Sequence, residues 1–547
     1  MTPGSAYGTL PFLVSKTTTV HYQRFEPKGT YDAIVIGSGI GGLTTAAMLA
    51  KHGNQRVLVL ERHTVAGGFT HVFHRQGFEW DTGVHYIGGA GTTGSRERAL
   101  FDHVSEGRLQ WQEMPSLFER FRFGDREYEI PGGEQAYRDA LAGYFPNDRK
   151  AVDRYLRATR AAAHSANLYF VEKAIPALAA RVLGPLLRFP FLRHARQRTA
   201  ARLAQITDNP ELAALLCAQW ADYGLPPGLS SFGAHAMVAQ HFLNGAAYPA
   251  GGASRIAASI VPAIERADGT VVVGAEVASV ICERGESAVG VRMADGRELR
   301  ARHVISDAGA RNTYAHLLEP ATKGRAAALA DLGDVPPSVA HLCLYVGLRH
   351  DSTPAEFGTA NLWIFRDHDH DANYARFLAD PESPLPGIFI SFPAAKDPTF
   401  AQRYPGKATI QVLVPASYDW FAKWQAQPWH QRGPDYDQVK QAWSARLLAE
   451  LERHVPAVRG KITFHELSTP LSTRHFANHP AGEIYGLAHT PERFRLRCLS
   501  ARTAVRNLWL TGQDVVIAGV TGALMGGLIT ASAILRRNIV GKANKGV

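Results

Sequence analysis

Cysteine is scarce in this sequence. Four of the 547 residues are cysteines, and they stand far apart without a CxxC pair or a histidine at metal-ligand spacing. Disulfide frameworks and zinc sites need closer spacing, so we predict neither and expect no metal. The cysteines are Cys217, Cys282, Cys343 and Cys498. A reducing compartment is therefore the expected environment.

An export signal and a nucleic-acid recognition module are also missing. Residues 1–20 lack a charged segment followed by an apolar run of signal-peptide length. Lys and Arg outnumber Asp and Glu by 59 to 49, which favours an anionic partner such as a membrane surface or a phosphorylated cofactor. We predict a cytoplasmic protein that associates peripherally with membranes and has no nucleic-acid partner.

Neither a repeat nor a low-complexity tract interrupts the chain. A content of 46% hydrophobic and 20% charged residues excludes disorder and indicates large buried cores. No Ser-His-Asp pattern or phosphate-loop lysine is present, so hydrolase and P-loop chemistry have no support. At ~150 residues per domain, the length allows roughly three or four folding units.

One long uncharged run stands near the carboxyl end, at residues 515–535. Its length meets the criterion of ~20 apolar residues for a membrane span. Residues 508–512 read as a strand that ends in a turn, and the glycines within the run permit close helix packing. These are Gly519, Gly522, Gly526 and Gly527. The sequence favours a buried helix, and a membrane span is the alternative.

Glycine is abundant where a dinucleotide-binding unit needs it. A short apolar strand leads into GSGIGG at residues 37–42, a helix rich in Ala and Leu follows, and a second strand ends at Glu61. This order is the complete βαβ fingerprint, and a terminal acid is predicted to accept from ribose hydroxyls. Gly37 permits the tight turn, Gly39 the approach of a pyrophosphate, and Gly42 the close packing of the helix.

The rest of the chain divides by pattern. Residues 108–248 are predicted to be mostly helical, and residues 321–495 alternate strand and loop. Between them, strands are predicted at residues 270–273, 275–283, 288–293 and 302–306, with a hairpin at Asp295-Gly296.

Seven segments together resemble the flavin-dependent amine oxidase and phytoene desaturase superfamily, and within it the all-trans-retinol 13,14-reductase (retinol saturase) and carotenoid isomerase branch. Two are common to many flavoproteins: IGSGIGGL at residues 36–43 and LERHTVAGG at residues 60–68. The others are specific to the saturase branch: DTGVHYIGG (81–89), YPAGGASRIA (248–257), SFPAAKDPTF (391–400), PASYDWFAKWQA (415–426) and LTGQDVVIAGVTGALMGG (510–527). The resemblance spans nearly the whole chain.

The resemblance implies an α/β fold of amine oxidase and phytoene desaturase architecture. A Rossmann-type, glutathione reductase-like FAD-binding domain would comprise residues 28–107, 249–320 and 496–547. A discontinuous α+β substrate domain would comprise residues 108–248 and 321–495. The implied cofactor is FAD, and NAD(P)H is considered only as an indirect electron donor.

The resemblance also implies the cofactor contacts. By the family pattern, Gly37, Gly39 and Gly42 lie against the pyrophosphate, Glu61 on the ribose, Gly67 and Gly68 beside the flavin half, Val277 against the adenine and Asp514 on the ribityl chain. The start of a helix at Thr521 and Gly522 would aim N–H donors at the flavin pyrimidine edge. The other predicted cofactor-binding residues are Ser38, Arg62, Phe69, Gly309 and Gly512.

The chemistry calls for a general acid. Saturation of a C=C bond places a hydride on one carbon and a proton on its neighbour, so an acid is expected across the substrate from the flavin. His85 and Tyr86 are the candidates, because they follow the segment that packs against the flavin in related proteins. Both also fit a purely structural role.

Aromatic clusters near residues 220–242 and 418–424 suit a long apolar, unsaturated lipid, although ordinary core packing explains aromatics at such spacing equally well. Residues 173–202 mix bulky apolar residues with arginines, and we predict membrane contact there. The favoured function is saturation of a retinoid-like or carotenoid-like polyene. The alternatives are a desaturase or cis-trans isomerase and, from another class, a non-catalytic prenyl or lipid carrier such as the Rab GDP-dissociation inhibitors.

Overall fold

A computed structural model of the protein describes residues 19–27, 29–349 and 351–544. Most of the segment used to judge an export signal lies outside the described residues. The strands are β1 (Val20–His21), β2 (Tyr31–Ile36), β3 (Val57–Glu61), β4 (Val72–Arg75), β5 (Phe78–Asp81), β6 (Ile87–Gly88), β7 (Trp111–Glu113), β8 (Leu117–Phe123), β9 (Arg126–Pro131), β10 (Ala246–Pro249), β11 (Thr270–Val273), β12 (Val277–Glu283), β13 (Ser287–Met293), β14 (Glu298–Ser306), β15 (Ala340–Leu348), β16 (Asn361–Phe365), β17 (Ile388–Ser391), β18 (Ala408–Ala416), β19 (Ile462–Ser468) and β20 (Leu508–Leu510).

The helices, in chain order, are α1 (Ile40–Gly53), α2 (Arg96–Ser105), α3 (Glu134–Tyr144), α4 (Arg149–Ala174), α5 (Ala177–Ala195), α6 (Thr199–Ala204), α7 (Pro210–Leu216), α8 (Phe232–Phe242), α9 (Ser254–Glu265), α10 (Ala310–Asn312), α11 (Arg325–Leu332), α12 (His370–Ala379), α13 (Pro393–Lys396), α14 (Phe400–Arg403), α15 (Pro434–His454), α16 (Pro470–Ala477), α17 (Val520–Leu535) and α18 (Ile539–Ala543).

The first sheet has the order β1-β11-β3-β2-β14-β13-β12, with β20 also paired to β14. Strands β1, β11, β3, β2, β14 and β20 are parallel, whereas β12 and β13 join in antiparallel pairs. The carboxyl ends of parallel strands share one edge of a sheet, where ligands bind in folds of this type. The glycine loop after β2 and Glu61 at the end of β3 both lie at this edge. The predicted Rossmann-type α/β fold is confirmed.

The uncharged run forms helix α17, which packs on α1 in the interior. A Cβ on Gly527 would lie 2.6 Å from the Thr44 Cβ, so only a residue without a side chain permits this approach. The Thr45 and Thr511 hydroxyls meet across the same contact at 2.8 Å. The predicted buried helix is therefore confirmed. Within the part of the chain that the structure describes, no helix is both long and apolar enough to cross a membrane.

The second sheet has the order β19-β15-β18-β17-β16-β8-β9 and is mostly antiparallel. Its β8–β9 hairpin falls in the region predicted to be mostly helical, and α15 falls in the region predicted to alternate strand and loop. In the β8 sequence LFERFRF, the buried Phe121 and Phe123 alternate with the less buried Arg120 and Arg122, which is the period of a strand, and the register shifts near the start of β8. The domain boundaries themselves stay a prediction.

Candidate active site

A cavity of about 2050 Å³ opens at the carboxyl edge of the first sheet and is also lined by strands of the second. Typical pockets for a single ligand measure ~300–1,000 Å³, so this cavity has room for more than one molecule. Most of the predicted site residues are on its wall: Gly37, Gly39, Glu61, Arg62, Gly67, Gly68, Phe69, His85, Tyr86, Val277, Gly309, Asp514, Thr521 and Gly522.

At the glycine loop, helix α1 begins with Gly39 as its N-cap, which has no side chain to bond the first N–H groups. Those donors are available to an anion on the cavity side, and the helix dipole favours negative charge there. Gly37 has a φ of 97°, a conformation that favours glycine. A Cβ on Gly42 would overlap the carbonyl oxygen of Gly37, so Gly42 is needed for the turn itself.

Ser38, Gly42 and Gly512 do not line the cavity, but they contact residues that do. The Ser38 hydroxyl donates to Glu61 Oε2 at 2.6 Å, and the Ser38 N–H donates to the same oxygen at 2.9 Å. The N–H of His63 donates to Glu61 Oε1 at 2.7 Å. These bonds hold the Glu61 carboxylate in place at the end of its strand, where it is available to a ribose.

The loops that would bracket the flavin half are in close contact. Gly67 and Gly68 have φ values of 121° and 54°, and a Cβ on Gly68 would lie 3.1 Å from the Gly39 Cα. A Cβ on Gly83 would lie 3.1 Å from the Phe69 Cβ. The packing therefore joins the segment before His85 to the predicted flavin contacts.

At the other end of this cradle, the buried Asp514 carboxylate accepts from three donors. They are the N–H of Ala310 at 2.8 Å, the N–H of Leu487 at 3.3 Å and Nη1 of Arg493 at 3.3 Å. Nearby, the Thr521 Oγ1 is buried and has no hydrogen-bond partner among the described residues. A buried hydroxyl without a partner is costly in an empty site and is satisfied by a bound polar group.

Asp307 was not predicted, although it follows a parallel strand at the ligand-binding edge. Its carboxylate lies where a Cβ on Gly39, Gly41 or Gly512 would have to go. Burial raises the pKa of Asp307 to about 7, and the Gly42 N–H partly opposes this rise. The proton that this favours would reduce repulsion between the carboxyl and a pyrophosphate. The helix N-terminus at Gly39, the anchored Glu61 carboxylate, the buried Asp514 carboxylate and the unpartnered Thr521 hydroxyl together fit FAD.

His85 and Tyr86 differ sharply in their surroundings. Burial and the nearby Lys396 lower the pKa of His85 to about 3, so its ring is neutral, and its buried Nδ1 has no partner within the described ranges. The Tyr86 hydroxyl instead donates to Asp222 Oδ2 at 2.8 Å. Burial and the carboxyls of Asp222 and Glu119 raise the pKa of Tyr86.

The aromatic clusters divide between cavity and core. Trp220, His241 and Phe242 of the first cluster line the cavity. In the second cluster, the Trp420 ring stacks on Trp443 of α15 with centroids 5.9 Å apart, so this cluster belongs to the core beneath that helix.

Comparisons with known proteins agree with this geometry. Residues 40–535 match the family described as flavin containing amine oxidoreductase. The all-trans-retinol 13,14-reductase of Homo sapiens is 36% identical over 526 residues, which cover 93% of this chain and 86% of the relative. The chloroplastic prolycopene isomerase of Arabidopsis thaliana is 24% identical over 542 residues, which cover 96% and 87%. A solved oxidoreductase from Methanosarcina mazei has a TM-score of 0.60 at 17% identity and covers 92% of this chain and 100% of its own.

Proposed function

The chain belongs to the flavin containing amine oxidoreductases, and from that premise we propose that it saturates a C=C bond of an apolar polyene lipid. It is an FAD-dependent oxidoreductase, so the non-catalytic carrier is not retained. The substrate class proposed is retinoid-like or carotenoid-like, and NAD(P)H is proposed only as an indirect source of electrons.

The observation that carries this proposal is the part of the cavity beyond the predicted cofactor contacts. Several aromatic and aliphatic side chains line the wall there. The lining includes Trp220, Met237, Phe242, Trp363, Phe365, Phe389 and Leu413. A water-poor apolar channel of this kind suits a long unsaturated chain, and exclusion of water protects the chemistry from side reactions.

Bound FAD supplies two-electron chemistry, and the protein must supply the rest. We assign the proton to Tyr86, whose hydroxyl is held by Asp222 at the cavity wall. We assign His85 a different role, because its neutral ring packs edge-on against Phe389 with centroids 5.1 Å apart and helps to shape the channel.

The printed name of the human relative supports reduction, because that protein is called a 13,14-reductase of all-trans-retinol. The prolycopene isomerase relative supports the second candidate, a cis-trans isomerase or desaturase on a similar substrate. A reductase adds two hydrogens to the lipid, an isomerase leaves their number unchanged and a desaturase removes two. One experiment that measures the mass of the product therefore separates the candidates.

Anaerobic mixing of the dithionite-reduced holoenzyme with all-trans-retinol should reoxidise the flavin and give a product about two mass units heavier, from one hydride and one proton. A change in double-bond geometry without a change in mass would favour the isomerase. Formation of a lighter product by oxidised enzyme would favour the desaturase. A carotenoid run in parallel tests the substrate class.

The predicted cofactor contacts remain proposals, and a matched glycine pair tests them. Gly39→Ala places a methyl group against the Asp307 carboxylate beside the loop, whereas a Cβ on Gly143 in α3 meets nothing within 4 Å. Gly39→Ala and Asp514→Ala should lower flavin retention after purification, measured by absorbance. Gly143→Ala should retain it, and full retention by the first two variants would refute the assignment.

We propose peripheral membrane contact through an apolar face of α5. Leu178, Val182, Leu186 and Phe189 are 77%, 71%, 72% and 59% exposed. Their spacing of three to four residues places them on one side of the helix. Phe170 on the adjacent α4 lines the cavity, so this face offers a short route for a lipid.

The cations of residues 173–202 do not all belong to this face. Lys173 is buried and donates to the carbonyls of Leu499 and Val515, both at 2.6 Å, and Arg188 pairs with Glu172. Arg181, Arg193, Arg196 and Arg198 are exposed. In liposome flotation, serine at the four apolar positions should abolish binding, and glutamine at the four exposed arginines should weaken it on anionic vesicles. Unchanged binding by both sets would reject the contact.

A further inference from the structure

Two acidic side chains converge on the Tyr86 hydroxyl. Asp222 accepts its hydrogen bond at 2.8 Å and shares the wall of the large cavity with it. The Glu119 carboxyl, on β8, is the second, because its charge adds to burial and Asp222 in raising the pKa of Tyr86, and the Tyr86 ring contacts the neighbouring Phe118 with centroids 6.4 Å apart. Glu119 is buried and comes from the hairpin that the sequence pattern did not predict. The chain therefore brings two carboxyls from distant segments to one phenol.

Glu119 is fixed by neighbours that are not acids. The indole Nε1–H of Trp363 donates to Glu119 Oε2 at 2.6 Å, and Nε2 of Gln219 donates to Oε1 at 3.4 Å. Trp363 lines the large cavity, whereas Glu119 and Gln219 line a separate one of about 40 Å³. A space of this size with several polar groups on its wall is large enough for an ordered water.

The two cavities are neighbours. Gln240 and Phe242 line both, so only one layer of side chains separates the small cavity from the large one. Glu119 reaches the small cavity and Asp222 reaches the large one. Tyr86 is hydrogen-bonded to Asp222 and adjacent to Glu119. This order connects a water-sized space to the wall of the channel through hydrogen-bonding groups.

Other charged and titratable groups face this cluster from every side. They are Lys396, Tyr223, Tyr485 and His85. Lys396 Nζ is held by the His85 carbonyl at 3.0 Å, Asn361 Oδ1 at 2.5 Å and Ser391 Oγ at 2.8 Å. Burial lowers the pKa of Lys396 to about 7 and raises those of Asp222 to about 7 and of Glu119 to about 8.

We propose that Glu119, Tyr86 and Asp222 form a proton relay that supplies the reaction in the large cavity from the small one. The proposal rests on the proposed function. As one substrate carbon gains a hydride from reduced FAD, the Tyr86 O–H bond breaks and a C–H bond forms on the neighbouring carbon. Tyr86 regains a proton from a neutral carboxyl of the pair, and water in the small cavity restores that proton. FAD loses two electrons, which the external donor replaces.

The experiment compares Asp222→Asn and Glu119→Gln with Asp81→Asn in the holoenzyme. Asp81 is a fitting control because it is buried and bonded to a tyrosine, Tyr248, but neither residue lines the large cavity. Flavin reoxidation by all-trans-retinol is followed from pH 5.5 to 9.5. The wild-type rate should fall above about pH 7 to 8, where the carboxyls lose their protons. The two relay variants should be slower by at least tenfold, with a flattened alkaline limb, while Asp81→Asn keeps the wild-type profile.

Infrared spectra of the same proteins give a readout independent of turnover. The wild type should show protonated-carboxyl bands that disappear between pH 6 and 9. Each relay variant should lack the one band that its own carboxyl contributes, and Asp81→Asn should lack a different band while keeping those of Asp222 and Glu119. The relay is overturned if both relay variants match Asp81→Asn in profile, or if neither variant loses a titrating band. If the wild type leaves retinol and carotenoid unchanged, the proposed function fails, and the bands alone then decide whether the carboxyls hold protons.

Discussion

Two tyrosine–aspartate pairs lie inside the molecule, and they differ in what each faces. In both, the phenol donates to the carboxylate, and burial raises the pKa of the aspartate to about 7. Tyr86 and Asp222 open onto the large cavity. Tyr248 and Asp81, the enclosed pair, are buried away from that cavity. The second carboxylate oxygen of Asp81 accepts from the N–H of Ala253 at 3.0 Å.

The enclosed pair joins separate segments of the chain. Asp81 ends β5 and Tyr248 lies in β10, and the Asp81 carbonyl also accepts from the side-chain amide of Gln411 at 2.9 Å. Every hydrogen-bonding atom of Asp81 thus has a structural partner. A raised carboxyl pKa is therefore common to a structural and a functional site, and access to the substrate space distinguishes them.

The largest expected effect is the difference in rate between two variants, each of which lacks the phenol oxygen of one of the two tyrosines. Tyr86→Phe should slow flavin reoxidation by ~10²-fold or more, because it removes the proton donor while flavin absorbance stays intact. Tyr248→Phe should keep the rate within a few-fold and lower the melting temperature, since a buried carboxyl loses a hydrogen bond worth ~1–3 kcal/mol. Stopped-flow absorbance and thermal melts measure the two outcomes, and equal rates in the two variants would break the comparison.

A smaller effect should follow from the indole that holds Glu119. Trp363→Phe removes an N–H donor that favours the charged carboxylate, so the pKa of Glu119 should rise. The alkaline limb of the rate should therefore move to higher pH by about one unit, since a bond to a charged group is worth ~1.5–3 kcal/mol. An unmoved limb with a changed KM would indicate that Trp363 serves substrate packing alone.

His85 should matter less than Tyr86. Its neutral ring cannot supply the proton readily, so His85→Gln should slow the chemical step by less than about tenfold, through the shape of the channel. The pH profile should remain that of the wild type. A loss as large as that of Tyr86→Phe, with an altered profile, would transfer the acid role to His85.

The smallest effect on the rate is expected at the enclosed pair, where the predicted change is in stability alone. An unfolded aspartate titrates near ~4, so folded Asp81, with its pKa at about 7, holds its proton more tightly. Its contribution to stability is full below about pH 4 and is lost as the pH rises through about 7. The free energy of unfolding of the wild type should therefore fall relative to that of Asp81→Asn between pH 4 and 7, by up to ~1.4 kcal/mol per pH unit, and thermal melts at each pH measure this. Parallel curves would refute the raised pKa.

The sequence predicted the features that depend on short spacing. The βαβ unit with Glu61 and the buried α17 are local patterns, because each element's role is set by a few neighbouring residues. Asp307 could have been found by the same logic, since a polar residue after a parallel strand lies at the ligand edge.

The relay could not be predicted in this way. Glu119 lies in a strand and Asp222 at the end of a short 3-10 helix, far apart in the chain, and no spacing relates them. The same holds for Lys396, the nearby ammonium in another short helix. Lys396 lies in the segment SFPAAKDPTF, which carries part of the family resemblance. The residues next to it in the sequence do not indicate that its ammonium group is buried. The β8–β9 hairpin was missed because only residues 120–123 of LFERFRF alternate, and the helical patterns around it dominated the interpretation of residues 108–248.

The contact between α1 and α17 joins two segments of the chain that the ribosome synthesises at widely separated times. Thr45 and Thr511 meet although 466 positions separate them. At ~5–20 residues per second, a ribosome needs roughly 25 to 90 s to travel between the two. During that interval the α1 surface that will receive α17 has not met it, and the glycine loop stands without Asp514, which lines the same cavity. The nascent chain therefore cannot complete its flavin pocket during most of its own translation.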